Sequence, residues 1–272
     1  MSEPTRTSRA PADKRLTYQQ WKRRKMLRLA RNWVLFLAGC AAVVVLLTGG
    51  ILWLLPKVHG LLAGPKVFAA SVYDGTGYVF DAADARLTLV NANLPYTAEP
   101  APLLDTADEA TGQQLEAEAA MQYRSMAAAA QADGVSLTLV AGYQDADTRQ
   151  AAYEARVQTY RDKRKTEEAA RLAATIQPAA NANEHGTGYA ADILSADDPQ
   201  QDTGFAETRA YEWLTAYAAE YGFILRYPQD RQAATGIVFE PWHWRYVGVE
   251  NALAIRASGL SLEEFIALQR AD

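Results

Sequence analysis

Apolar and polar positions alternate along most of the chain, but one stretch breaks the rhythm. From Trp33 to Leu55, 23 successive residues carry no charge. As a helix rising about 1.5 Å per residue, such a run exceeds a hydrocarbon core of about 30 Å, which predicts a membrane-spanning segment. Beyond it the pattern is that of a mixed globular body. "RLTLVNANLPY" (86–96) alternates and then meets a proline, as a strand entering a loop does. From about Gln113, the apolar residues Leu115, Ala119, Tyr123, Met126 and Ala130 share one helical face, closed by Gly134. "VSLTLVAGY" places Val135, Leu137 and Leu139 on one side of a short strand. A charged, Ala-rich helix is expected over 147–175, and another over 206–221 closed by Gly222. "FILRY", "GIVFE" and "HWRYV" are β-type runs, the first two separated by the turn "PQDRQAAT". In "SLEEFIALQ", Ser261 and Glu264 have capping-box spacing. No βαβ rhythm is present, so the fold class is α+β.

Charge sharpens the organisation. Residues 1–31 hold ten Lys/Arg against two acids, whereas the remainder holds 17 against 30. An acidic body repels phosphates, which argues against nucleic acid as partner. Basic residues just before an apolar span orient it with the N-terminus in the cytoplasm. The expected division is a cytoplasmic tail (1–31), a single-pass transmembrane signal anchor (32–56), a juxtamembrane linker (57–85) and an extracytoplasmic body (86–272). Two rivals to an uncleaved anchor are cleavage near "VFAAS" and lipidation at "LAGC" (37–40), although the apolar run continues for 15 residues past Cys40. Cys40 is the only cysteine, so the body has no cysteine to serve as nucleophile, metal ligand or disulfide partner.

The chain has three histidines, His59, His185 and His243, and two of them sit in short unusual segments. "NEHGTGYAADIL" (183–194) joins His185 to Asp192 across Gly186 and Gly188, which let the chain fold back. "FEPWHWRYVG" (239–248) holds Glu240 three residues before His243. A hydrolytic metal site wants three His/Asp/Glu ligands, an open position, and a carboxylate near the water. His185, Asp192 and His243 could supply the ligands and Glu240 the base. In a regular strand Glu240 and His243 would face opposite ways, so Pro241 predicts a bend that turns both into one cleft. Spacing alone leaves open the bland alternative of two satisfied histidines in a packed sheet.

"EHGTGYAADI" resembles the S-x-H-x-x-G-x-A-x-D signature of VanY-type D-alanyl-D-alanine carboxypeptidases, and "EPWHWRYVG" resembles their second zinc motif. "LTLVNANLP", "GVSLTLVAGY", "YGFILRYP" and "TGIVFEPWHWRYVG" follow in the family's order, over roughly residues 86–250. The resemblance implies a zinc DD-peptidase/hedgehog-like fold, with a small antiparallel sheet flanked by helices. It also implies Zn²⁺ on His185, Asp192 and His243, and Glu240 as catalytic base; a His₂Asp set favours zinc, although cobalt or manganese could enter it in vitro. The implied substrate is the peptidoglycan stem peptide, losing its terminal D-alanine. The implied setting is the bacterial cell membrane, with no protein partner indicated.

Two departures from the family pattern matter. Asn183 stands where the signature has serine. Where the family reads S-G-Y-R-S with a glutamine five residues after the arginine, this chain reads "AGYQDADTRQ", with Gln144 in the arginine's place and Arg149 in the glutamine's. One expectation is exchanged roles, Arg149 gripping the substrate carboxylate and Gln144 contacting the peptide. The other is that Arg149 is a solvent-facing helix residue, with weak activity or cleavage at an internal bond. Tyr143, Arg226 and Tyr227 are further candidates for lining the cleft, while Arg245 suits a structural ion pair. Rival functions are L,D-carboxypeptidase or endopeptidase action on wall peptides, and a weakly active peptidoglycan-binding module.

Overall fold

The computed structural model describes residues 18–62, 68, 77–97 and 101–271, and the first part of the basic tail lies outside them. The chain divides into two units, Met1–Val67 and Phe68–Asp272. In the first, one helix, α1 (Tyr18–Leu62), contains the stretch Lys25–Leu46 with mean hydropathy 2.0, long and apolar enough to cross a membrane. Trp33, Val34, Leu35 and Phe36 are exposed on it, as a helix without protein neighbours around it would have them.

The second unit is built on two antiparallel sheets. β1 (Leu104–Asp108) pairs with β2 (Gln113–Glu116). β3 (Leu137–Ala141), β4 (Ala190–Ser195), β5 (Phe223–Leu225) and β6 (His243–Tyr246) form a four-stranded sheet in the order β3-β4-β6-β5. β4 lies inside this sheet and is buried along its whole length. The unit begins earlier than residue 86: Phe68 packs on Tyr217, and Tyr78 packs on Phe265 and donates to Asn251.

The helices cover the sheet. α2 (Ala117–Ala132) buries Ala119, Tyr123, Met126 and Ala130 against the core. It starts four residues later than the apolar stripe suggests, because Leu115 is buried from strand β2 instead. Glu116 makes the switch, its carboxylate accepting from the amides of Glu118 and Ala119. The expected long helix over 147–175 is broken into α3 (Ala146–Asp162) and α4 (Ala169–Ala174). Asp162, Lys163, Arg164 and Lys165 offer no apolar position to hold a continuing helix, and Arg164 turns the chain at φ 61°. The two pieces pack through Val157, Ala169 and Ala173. α5 (Arg209–Tyr217) continues as a 3₁₀ turn to Tyr221 and ends at Gly222, φ 84°.

Two stretches expected as strands are not strands. Residues 86–96 hold a 3₁₀ turn over Ala85–Leu87, capped by Asp84, and an isolated bridge between Asn91 and Leu94. "GIVFE" is tied to two unrelated segments, Val238 N–H to Thr175 and Glu240 N–H to Tyr227, and Pro241 removes the next donor. Its neighbouring turn contains a short helix, α6 (Gln232–Thr235). α7 (Val249–Ser258) and α8 (Leu262–Gln269) close a second small core with Leu87, Val247 and Phe265. Ser261 and Glu264 form the capping box expected for α8.

Candidate metal centre

Strand register brings the second and third donors together. Asp192 on β4 lies directly opposite His243 on β6, so both side chains leave the same face. His185 arrives from a 3₁₀ turn over Glu184–Thr187, capped by Asn183, whose Oδ1 accepts from the His185 amide at 2.9 Å. Gly188 follows with φ 76°, a left-handed conformation that returns the chain into β4. The donor atoms of His185, Asp192 and His243 lie within 4.8 Å of one another, and all three residues are buried. Asp192 Oδ1 is 3.4 Å from His185 Nε2 and 2.9 Å from His243 Nδ1, with no hydrogen-bond donor of its own. Ligands about 2.1 Å from a tetrahedral ion sit roughly 3.4 Å apart, so this donor set fits zinc.

The outward atoms of these donors are held. His185 Nδ1 lies 2.6 Å from the Gly142 carbonyl, which takes its N–H and leaves Nε2 as the free donor. Gln201 donates to Asp192 Oδ2 at 2.8 Å, leaving Oδ1 for the centre. Burial alone would raise the Asp192 carboxyl, but His185 and His243 hold it well below the usual carboxylate range. Burial alone would lower His243, yet the Asp192 and Glu184 carboxylates beside it push it up to about 10 without a metal.

Glu240 reaches the same cleft through a turn. The His243 amide donates to the Glu240 carbonyl at 3.1 Å with Pro241 at the second position, the bend expected from the sequence. Its Oε2 is 3.9 Å from His243 Nδ1. Burial pushes the Glu240 carboxyl up to about 8; His243 and Arg156 oppose this, and Asp192 reinforces it. These residues line a cavity of about 390 Å³ with Asn183, Glu184, Tyr227, Phe239 and Trp242, among others. Among the described residues, Arg156 is the single Lys or Arg on its wall.

The other expected contacts separate into two groups. Tyr227 lines the cavity, its ring 4.8 Å from that of His243. Arg226 does not: its Nε donates to Glu184 at 2.8 Å and its other nitrogens to Glu263 at 2.9 and 2.5 Å, so its bonding capacity is spent inside the protein. The expectation that Arg226 lines the cleft is therefore corrected. Arg245, also fully buried, pairs with Glu184 at 3.2 Å, as expected of a structural arginine.

Tyr143, Gln144 and Arg149 lie behind His185 rather than on the cavity wall. The Gln144 amide donates to the His185 carbonyl at 3.1 Å, and its side-chain Oε1 is buried without a donor. Arg149 is only 4% exposed, which overturns the solvent-facing alternative. Among the described residues its Nε and Nη1 have no acceptor. Its guanidinium packs directly over Gly186, where a Cβ would overlap it. His59 lies on α1, in the other unit, and its side chain is outside the description. Glu184 and Gln201 were not singled out in the sequence. The first is legible only as the residue before a ligand, and the second carries no local signal.

Comparison with known proteins agrees with this geometry. The model of the VanY family, D-alanyl-D-alanine carboxypeptidase, matches residues 112–249. A D-alanyl-D-alanine carboxypeptidase of Enterococcus faecalis is 33% identical over 187 residues, covering 68% of this chain and 67% of the relative. The solved structure of VanYB in complex with D-alanine-D-alanine aligns with TM-score 0.60 and 32% identity, over 67% of this chain and 97% of that one. A mutant of the D,D-pentapeptidase VanY from a VanB-type resistance cassette, in complex with Zn(II), aligns with TM-score 0.60 and 31% identity, over 66% and 98%. The expected α+β fold of a zinc DD-peptidase is thus present, and the chain belongs to the VanY family of D-alanyl-D-alanine carboxypeptidases.

Proposed function

We propose that the chain is a membrane-anchored, zinc-dependent D,D-carboxypeptidase that removes the terminal D-alanine from peptidoglycan stem peptides. The observation that carries this reading is the convergence of His185 Nε2, Asp192 Oδ1 and His243 Nδ1 on one point, with the buried Glu240 carboxylate beside it. Zinc held by these three donors supplies Lewis acidity, bringing the pKa of water toward about 7 and polarising the scissile carbonyl. Glu240 takes the proton from the attacking water and delivers it to the departing amine. A carboxyl whose ordinary range is raised by burial suits that shuttle, since it neither clings to nor refuses a proton near neutrality.

Arg149 packs over Gly186 beside the cavity rather than on its wall, and is the cation to which the substrate's terminal carboxylate would be drawn past that glycine. Its support is a buried guanidinium with two nitrogens unsatisfied, an arrangement that costs free energy until an anion arrives. Gln144, with an equally unsatisfied Oε1, accepts from the peptide. Asn183 and Tyr227 shape the wall on which the stem lies. α1 anchors the enzyme as a single-pass helix, and the ten Lys/Arg among residues 1–31 keep that end in the cytoplasm and the catalytic unit outside, where the wall is.

The test is mass spectrometry of a pentapeptide stem ending in D-Ala-D-Ala, incubated with the full-length chain in detergent. Loss of one alanine with zinc, abolished by a chelator and by Glu240→Ala, is the expected result. An intact pentapeptide beside a shortened tetrapeptide ending in one D-alanine would move the specificity to L,D cleavage. Internal fragments would move it to endopeptidase action.

A further inference from the structure

Two of the three metal donors have their outward atoms tied, at 2.6 Å for His185 Nδ1 and 2.8 Å for Asp192 Oδ2. The third has not closed. His243 Nε2 is buried without a partner, and it faces Glu184 Oε2, also buried without a partner, at 3.8 Å. Two orphaned buried polar atoms this close, one able to donate and the other to accept, are a hydrogen bond short of about 1 Å of movement.

The other oxygen of Glu184 explains why its carboxylate stays charged and in place. Oε1 accepts from Arg226 Nε at 2.8 Å and lies 3.2 Å from Arg245 Nη1 as an ion pair. Arg226 is held in turn by Glu263 at the start of α8, through two parallel bonds. Glu184, Arg226, Arg245 and Glu263 are therefore two anions and two cations in one network, with Glu184 and both arginines at most 1% exposed. The network saturates one face of the Glu184 carboxylate and leaves the other aimed at the ring.

We propose that Glu184 is the positioning residue of the metal centre, holding His243 Nε2–H so that Nδ1 is presented to the ion. A ring tied at Nε2 has its tautomer fixed, since the proton sits on the bonded nitrogen and the lone pair on the other. It also has its rotation about χ2 restricted, so no ordering remains to be done when metal enters. The carboxylate draws the N–H proton and makes Nδ1 a stronger donor. Glu184 is adjacent in sequence to the ligand His185 but serves the distant ligand His243, coupling the two zinc motifs through one side chain.

This role rests on the metal reading above, and the experiment separates the two. Zinc affinity of the full-length chain is measured by competition with a chromophoric chelator for wild type, Glu184→Asp and Glu184→Gln, alongside thermal melting of the metal-free proteins. Aspartate keeps the charge facing both arginines but withdraws it from His243 by one methylene, so it is expected to fold and to hold zinc about 10- to 100-fold more weakly. A Glu184→Asp chain that melts like wild type and binds zinc equally well would overturn the role. As a second readout, independent of any variant's folding, ¹⁵N-histidine NMR of the zinc-loaded wild type resolves a chain with only three histidines. His243 protonated at Nε2 and slow to exchange supports the proposal, whereas His243 coordinated through Nε2 overturns it. A wild-type chain that binds no zinc at all would remove the metal centre itself.

Discussion

Arg149 and Arg226 make an instructive pair. Both were expected at the substrate, and both are buried, at 4% and 1% exposed. Arg226 is bonded to Glu184 and Glu263 on every side that matters, while Arg149 has two guanidinium nitrogens with nothing to receive them. Burial lowers the pKa of both; the surrounding carboxylates raise Arg226 well above its ordinary value, whereas for Arg149 burial prevails. The difference shows how to read a buried cation. With its anions inside the protein it is part of the frame, and without them it marks where an anion from outside is to come.

The comparison breaks most visibly in stability. Arg226→Met strips Glu263 of its partner and leaves Glu184 with Arg245 alone, and is expected to cost about 3–5 kcal/mol, read as a lowered denaturation midpoint. Arg149→Met removes an unpaired charge, so its midpoint should stay level or rise. Equal losses in the two variants would dissolve the distinction. Activity should invert the order: Arg149→Met lowers kcat/KM for a D-Ala-D-Ala peptide about 10- to 100-fold, the worth of a charge-assisted hydrogen bond of about 1.5–3 kcal/mol. An amidated peptide, lacking the carboxylate, should not discriminate between wild type and this variant.

A third test concerns the carboxylates. Glu240 titrates near 4.5 unfolded and is pushed up to about 8 in the fold, so between those values the native state keeps a proton that the unfolded chain has lost. Stability of the metal-free protein should therefore fall as pH rises from about 4.5 to 8, and Glu240→Gln should flatten that part of the fall. His243, raised to about 10, contributes stability fully below 6.5 that is lost as pH rises through 10, and it does so in both proteins. Identical pH profiles for the two would mean Glu240 is better solvated than its burial indicates. The smallest effect belongs to the cap of the ligand turn: Asn183→Ala should cost about 1 kcal/mol by chemical denaturation.

Much of the frame was legible before any coordinates. Stripes such as Ala119–Tyr123–Met126–Ala130 and the Ser261–Glu264 cap depend on neighbours within a few residues, which sequence displays directly. The bend at Pro241 was legible for the same reason, because proline's missing donor is a local fact. Most of the failures are non-local. Leu115 continued a helical stripe by coincidence, and only the pairing of β1 with β2 made it a strand residue. "GIVFE" has strand composition but no free ladder to join. The break at Arg164 came from four charges that a charged helix could have tolerated. At the site, the donor set followed from motif and resemblance, and the geometry brings those residues together. The fate of Arg226 could not be foreseen, since Glu184 and Glu263 reach it from distant positions.

The register that sets Asp192 against His243 also fixes when the centre can exist. These residues are brought face to face by closure of a long intervening loop, one of the slow events of folding. A nascent or unfolded chain has no preassembled site, so metal cannot guide the early search; it can only act once β4 and β6 have zipped. Contacts made after the rate-limiting barrier slow escape from the native state without hastening arrival. The ion would thus serve as a latch on a finished sheet, lengthening the lifetime of the folded enzyme.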